Sequence, residues 1–380
     1  MRLAFPQTLA VLLVLWSSAL AHGEVPEPAV DVTTAQKNLR KAGVGIDPAG
    51  LLAFFRKRTV EVGQEERIQQ LIQQLGADSF QAREEASRQL MALGVLALPA
   101  LQRASGSGDL ELRRRVQQCL GKVDVGRETD LVMAAASLLG ECRTRQAPAV
   151  LLNYLPWAPS EEARHAVVLA LLRHAHHSRK VAPEVLATLR LPSTEKAQPR
   201  KGAAALVVGL VGTPEQQGLV RPLLKASHPS LRLQAARAVL LTQSPEAVPV
   251  LIDLLGEGPM ELAQDAEDLL IQIAGDHAPG VSLGQEKPAR EKCQRAWQAW
   301  WNTRGKTVDL ARSKLEPLQV NLARRAEVVG QQFIDAIFRT GDAAILKRTA
   351  GFPFRIHDSQ VFANLEALDA QMAKSRANLR

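Results

Sequence analysis

Residues able to do chemistry are sparse in this chain, and the densest group is imidazole. His174, His176 and His177 lie together, with His165 upstream. His174 and His177 stand at i and i+3 of an expected helix end, where two ring nitrogens could share a metal ion. No carboxylate or Cys lies at ligand spacing beside them. A polar helix terminus, with imidazole near the last carbonyls, explains them better, and no metal site is expected. The cysteines Cys119, Cys142 and Cys293 are odd in number and form no Cys-x-x-Cys pair, which argues against zinc, redox and haem-attachment motifs. Cys119 belongs to the apolar stripe Val116, Cys119, Leu120, Val123 and reads as a small buried hydrophobe; a Cys119–Cys142 bridge stays open. Trp297, Trp300 and Trp301, at i, i+3 and i+4, could form a ligand platform, but packing over the end of a helical array is the simpler role. Glu84-Glu85 and Glu161-Glu162 start expected helices, where the macrodipole favours negative charge. The sequence has no His-Glu-x-x-His, phosphate loop or dinucleotide fingerprint. Neither a catalytic residue nor a cofactor is expected.

The elements around these residues repeat. Ile68, Leu71, Ile72 and Leu75 mark one face of a helix that Gly76 stops, and Ala82, Ala86, Leu90 and Leu93 mark a second that ends at Gly94. The second helix carries an apolar-Arg-x-x-small-x-x-x-Leu pattern at Ala82-Arg83 and, 30 residues on, at Leu112-Arg113. Its core returns at Ala163-Arg164, Arg200 with Ala203, Leu231-Arg232 and, without the Arg, at Leu262-Ala263. The last four are spaced by 36, 32 and 31 residues, whereas 51 separate Arg113 from Arg164 and leave room for an extra helix over 130–142. First helices place a proline just ahead of Leu or Val, at Pro99, Pro148, Pro183 and Pro249, and Pro222 fits the same role. Proline is tolerated in a helix's first turn, where its missing N–H would lack a partner anyway.

A helical pair of this length cannot bury its apolar face alone, so neighbours must stack into a continuous core. At this period the sequence resembles the HEAT/armadillo family. The run Leu51-Leu52-Ala53-Phe54-Phe55-Arg56-Lys57-Arg58-Thr59, with Gln81-Ala82-Arg83-Glu84-Glu85-Ala86, looks like exported bacterial HEAT-repeat proteins. The resemblance covers about residues 35–275. It implies an interaction surface and transfers no catalytic residue. It also implies a structural role for Arg83, Arg113, Arg164 and Arg232, each tying adjacent repeats together through an acid or a helix-end carbonyl.

Composition agrees with a helical, core-forming chain: 46% hydrophobic, 23% charged and only 4% aromatic residues. The net charge of +8 gathers locally at Arg56-Lys57-Arg58, Arg113-Arg114-Arg115 and Arg324-Arg325. No aromatic residues interleave these clusters, so solvated helix faces account for them and no nucleic-acid partner is expected. At the start, Met1-Arg2, the apolar run Leu9 to Trp16 and Ala19-Leu20-Ala21 read as a cleavable signal peptide over 1–21, followed by a linker over 22–34. No later run is long and apolar enough to span a membrane, so the mature chain is expected in the periplasm or secreted.

The fold expectation is all-α: a right-handed α-solenoid of HEAT-like hairpins over 35–305, closed by an N-terminal cap around Phe54-Phe55 and a Trp-rich C-terminal cap. A linker over 306–322 then leads to a small α+β segment over 323–380. There, helices over 326–338, 342–349 and 363–377 flank a strand at Phe352-Pro353-Phe354-Arg355-Ile356, an order similar to the opening of NTF2-like domains. Either that domain is cut short at Arg380 or the segment is something else. The expected function is a non-catalytic protein–protein scaffold in the cell envelope, its partner and oligomeric state open. The alternatives are small-ligand or isomerase-like action through the C-terminal segment, and a HEAT-like lyase-type accessory role implied by likeness at the level of the repeat.

Overall fold

The computed structural model describes residues 32–281, 283–310, 354–356 and 360–362. The expected signal peptide and the three expected C-terminal helices lie outside these residues. The chain divides into two units, Met1–Pro317 and Leu318–Arg380, and the boundary falls inside the linker expected over 306–322.

The described part of the first unit is all-α. It opens with α1 (Val32–Lys41) and α2 (Pro48–Lys57), so the last three residues of the expected linker are already helical. Four helices follow as two hairpins: α3 (Val62–Gln74) with α4 (Phe80–Leu93), and α5 (Leu98–Ala104) with α6 (Leu110–Leu120). They share a core of Ile68, Leu71, Leu75, Leu90, Leu101 and Val116, roofed by Trp157. The starts of α4 and α6 are fixed by capping: Ser79 accepts from the Ala82 N–H and Asp109 from the Glu111 and Leu112 N–H groups.

Beyond them lie α7 (Val125–Glu141), α8 (Ala147–Tyr154), α9 (Glu161–Ser178), α10 (Pro183–Leu189), α11 (Ala197–Val211), the single turn α12 (Pro214–Gln217), α13 (Pro229–Leu241), α14 (Ala247–Glu257), α15 (Met260–Ala274) and α16 (Lys287–Arg304). The long helices pack in series, α7 on α9, α9 on α11, α11 on α13 and α13 on α15. The shorter partners lie alongside, α8 on α9, α10 on α11 and α14 on both α13 and α15. Small residues set two of these approaches. A Cβ on Gly140 of α7 would lie 2.9 Å from Ala170 Cα of α9, and one on Gly209 of α11 would strike the Ala238 carbonyl of α13. The helix expected over 130–142 is α7, and it starts earlier because Asp124 accepts from the Arg127 N–H.

The N-terminal pair corrects one expectation. The aromatic run around Phe54-Phe55 does not close the hairpin that follows it in sequence; the main neighbours of α1 and α2 are α7 and α8, far downstream. The reason is chemical complementarity at that distance. Phe55 meets Tyr154 edge-on with centroids 4.9 Å apart, and Arg58 covers the Phe54 ring at 3.7 Å while pairing with buried Glu128. Arg56 also donates to Gln146 Oε1 at 2.6 Å. The helices α3 to α6 are thus interposed in sequence between two pairs that pack together.

In the second unit the described residues are two short antiparallel strands, Phe354–Ile356 and Gln360–Phe362, in register Phe354 with Phe362 and Ile356 with Gln360. The first lies inside the expected strand at Phe352 to Ile356; the second was not expected.

Candidate functional site

Two large apolar residues on neighbouring helices point outward instead of into a core. Phe80 is 63% exposed and Leu110 74% exposed, the highest values among the exposed large hydrophobics. Each is the first residue of its helix, directly after the capping Ser79 or Asp109. A side chain at that position projects beyond the helix's own apolar stripe, so burial of the hairpin core does not require it to be apolar.

Ion pairs hold these helix starts side by side. Arg115 of α6 donates to Glu84 of α4 at 2.7 Å and to Glu111 of its own helix at 2.7 Å, and Arg83 of α4 faces Glu111 at 3.6 Å. The hydrogen bond from Arg115, opposed by burial and joined by the charges of Arg115, Arg83 and Arg114, keeps the Glu111 carboxyl below its usual range. The Arg83 and Arg115 guanidinium carbons lie 5.9 and 6.0 Å from the Phe80 ring centroid, which fixes the ring at the rim of a charged lattice. Two exposed apolar residues thus stand at helix starts that ion pairs link, an arrangement suited to a partner that brings its own apolar anchors.

The recurrent arginines take several partners. Arg83 also donates to the Ala77 and Asp78 carbonyls at 2.7 and 2.8 Å, securing the turn before its own helix. Arg232 of α13 reaches Glu257 at the end of α14 at 2.6 Å. Arg164 pairs within its own helix, with Glu161. Arg113 is half-buried, and the link between neighbouring helices runs through Arg115, two residues on. Further links that the repeat pattern did not single out are Arg237 to Asp265 at 3.2 Å and Arg290 to the Leu255 and Gly258 carbonyls at 2.8 and 2.7 Å. Pro99, Pro148, Pro183 and Pro249 all lie in the first turns of their helices, and Pro222 is the second residue of the 3-10 turn Arg221–Lys225.

No protein-family model matches the chain, and no curated protein matches it.

His174 Nδ1 lies 3.1 Å from the Cys142 carbonyl, and His177 lies 3.9 Å from Glu141, a carboxylate that α7 brings to the end of α9 and that local spacing could not reveal. Among the described residues no three His, Cys, Asp or Glu side chains gather as a metal site would require. The three cysteines are free thiols. Burial raises the thiol of Cys119, and Cys293 is pushed up to about 12 by burial and by the neighbouring Glu267 carboxylate. Trp297 and Trp300 are buried edge to face, centroids 5.3 Å apart, in a helix that packs against α14. No helix among the described residues is long and apolar enough to cross a membrane.

Proposed function

We propose that this chain is a non-catalytic protein-binding scaffold, a HEAT-like α-solenoid that works in the cell envelope after loss of residues 1–21. The observation that carries the reading is the pair of outward-facing apolar residues, Phe80 and Leu110, at equivalent positions of successive second helices. Evolution of a helix start rarely favours such residues for stability, because each leaves apolar surface in water. Covering each would contribute about 1.5–3 kcal/mol to a complex. The serial packing of α7, α9, α11, α13 and α15 supports the solenoid reading, with α3 to α6 as an interposed pair of hairpins. The repeat-like spacing of the arginines and prolines supports it independently.

Site-specific photocrosslinking tests the proposal. A photoreactive residue at position 80 or 110 should capture one defined protein in envelope extracts of the native host. The same residue at Glu184, an exposed position on α10, should not capture it. Identical products from all three positions would sink the proposal, as would none from positions 80 and 110.

A further inference from the structure

Positive charge gathers where α7 and α9 end and α8 begins. The connection from Cys142 to Gln146 carries Arg143 and Arg145, both exposed. Arg56, near the end of α2, donates to Gln146 Oε1 at 2.6 Å, and His174 Nδ1 of α9 lies 3.1 Å from the Cys142 carbonyl. These contacts bring the ends of α2, α7 and α9 to one short connection. Arg179 and Lys180 follow directly on α9, just past His177, which faces Glu141 of α7 at 3.9 Å. Arg56, Arg143, Arg145, Arg179 and Lys180 are all exposed, and none of them is in an ion pair among the described residues. Glu141, the acid at this end of α7, is already shared by Arg173 and His177. The acid that follows Lys180 in the chain is Glu184 on α10.

Helix dipoles draw cations to the last turn of a helix, which accounts for His176 and His177. They do not account for the rest. Arg145 stands ahead of the start of α8, the helix end that repels a cation. Arg179 has left-handed backbone, φ 51°, where a helix normally ends on glycine. Two of the five cations thus occupy positions that local stability disfavours. Nothing apolar accompanies them: the exposed large hydrophobics among the described residues are Val32, Phe80, Met91, Leu110 and Leu219, none of them on these segments. Protein partners and single-stranded nucleic acids gain most from aromatic anchors or stacking. An anionic bilayer attracts basic segments by charge alone. We propose that Arg56, Arg143, Arg145, Arg179 and Lys180 form a docking surface for an anionic lipid bilayer.

Vesicle flotation of the purified chain tests this, with phosphatidylcholine vesicles made with and without phosphatidylglycerol. Binding should require phosphatidylglycerol and be lost in high salt. Arg143→Gln/Arg145→Gln/Arg179→Gln should weaken it on the order of 100-fold, about fivefold per cation. Arg103→Gln/Lys122→Gln/Lys225→Gln removes as many exposed cations elsewhere, and should weaken it by less than about threefold because surface attraction fades within a Debye length. Arg179→Gly should weaken binding about fivefold without lowering Tm, since glycine suits the left-handed backbone; a purely structural arginine would not separate the two readouts. Equal losses in the two triple variants, undiminished binding without phosphatidylglycerol, or no binding at all overturns the proposal. So does tighter binding of poly-glutamate or duplex DNA than of the vesicles, if Arg143→Gln/Arg145→Gln/Arg179→Gln abolishes it, because the surface then serves an acidic protein or a nucleic acid.

Discussion

Cys293 lies in the packed end of the first unit, its thiol 3.4 Å from Glu267 Oε1 and 3.6 Å from the Val281 carbonyl. Its pKa is pushed up from an ordinary 9.0 to about 12 by burial first and the Glu267 charge second. The folded state therefore holds this proton more tightly than the unfolded chain does. Its contribution to stability is complete below about pH 9 and is lost as pH rises towards 12. Urea midpoints of wild type should fall more steeply between pH 8 and 10.5 than those of Cys293→Ala; parallel slopes would contradict this. A second expectation concerns Arg58 and Glu128, a pair whose carboxylate is buried and whose guanidinium is partly exposed. Arg58→Ala should cost on the order of 2–3 kcal/mol, because it strands the Glu128 carboxylate against Tyr154, measurable as a drop in Tm. At this scale the sequence was a partial guide. Arg83 and Arg232 stand out by their spacing, but the roles of Arg115, Glu128 and Glu141 depend on partners from distant helices, which no local pattern encodes.

At the scale of elements, close approach of helices depends on what is missing from their surfaces. Gly140 against Ala170 and Gly209 against Ala238 let α7 meet α9 and α11 meet α13 nearly backbone to backbone. Gly140→Ala and Gly209→Ala should each destabilise the chain by about 1–3 kcal/mol, despite the gain in helix propensity, because the added methyl has no space. Denaturant titration of the two variants checks the sign: stabilisation would mean that the helices can part without loss. The hairpins themselves were legible, since apolar periodicity, capping residues and first-turn prolines all mark them locally. The docking of α1 and α2 on α7 and α8 was not. It depends on Phe55 meeting Tyr154 and on Arg58 meeting Glu128, contacts that pass over the whole of α3 to α6. The wide spacing between Arg113 and Arg164 signalled an extra helix without saying what would cover it.

For the molecule as a whole, the chain divides after Pro317 into two compact units, and a compact unit of this size is expected to fold by itself. A chain ending at Pro317 should stay folded and keep the Tm of the full protein; a large fall in Tm would contradict that expectation. The proposed function rests on the helix starts that carry Phe80 and Leu110. A sequence signal for it did exist, an apolar residue directly after each N-cap, which no inward face requires. It is weak because single exposed apolar residues are common on any surface. The most direct measurement is the affinity of the crosslinked partner, once isolated, for wild type and for Phe80→Ser/Leu110→Ser. Both substitutions lie outside the core, so folding should be intact by circular dichroism. Two anchors of ordinary strength predict a loss of about 100-fold or more in Kd; affinities within about threefold of each other would place the binding surface elsewhere.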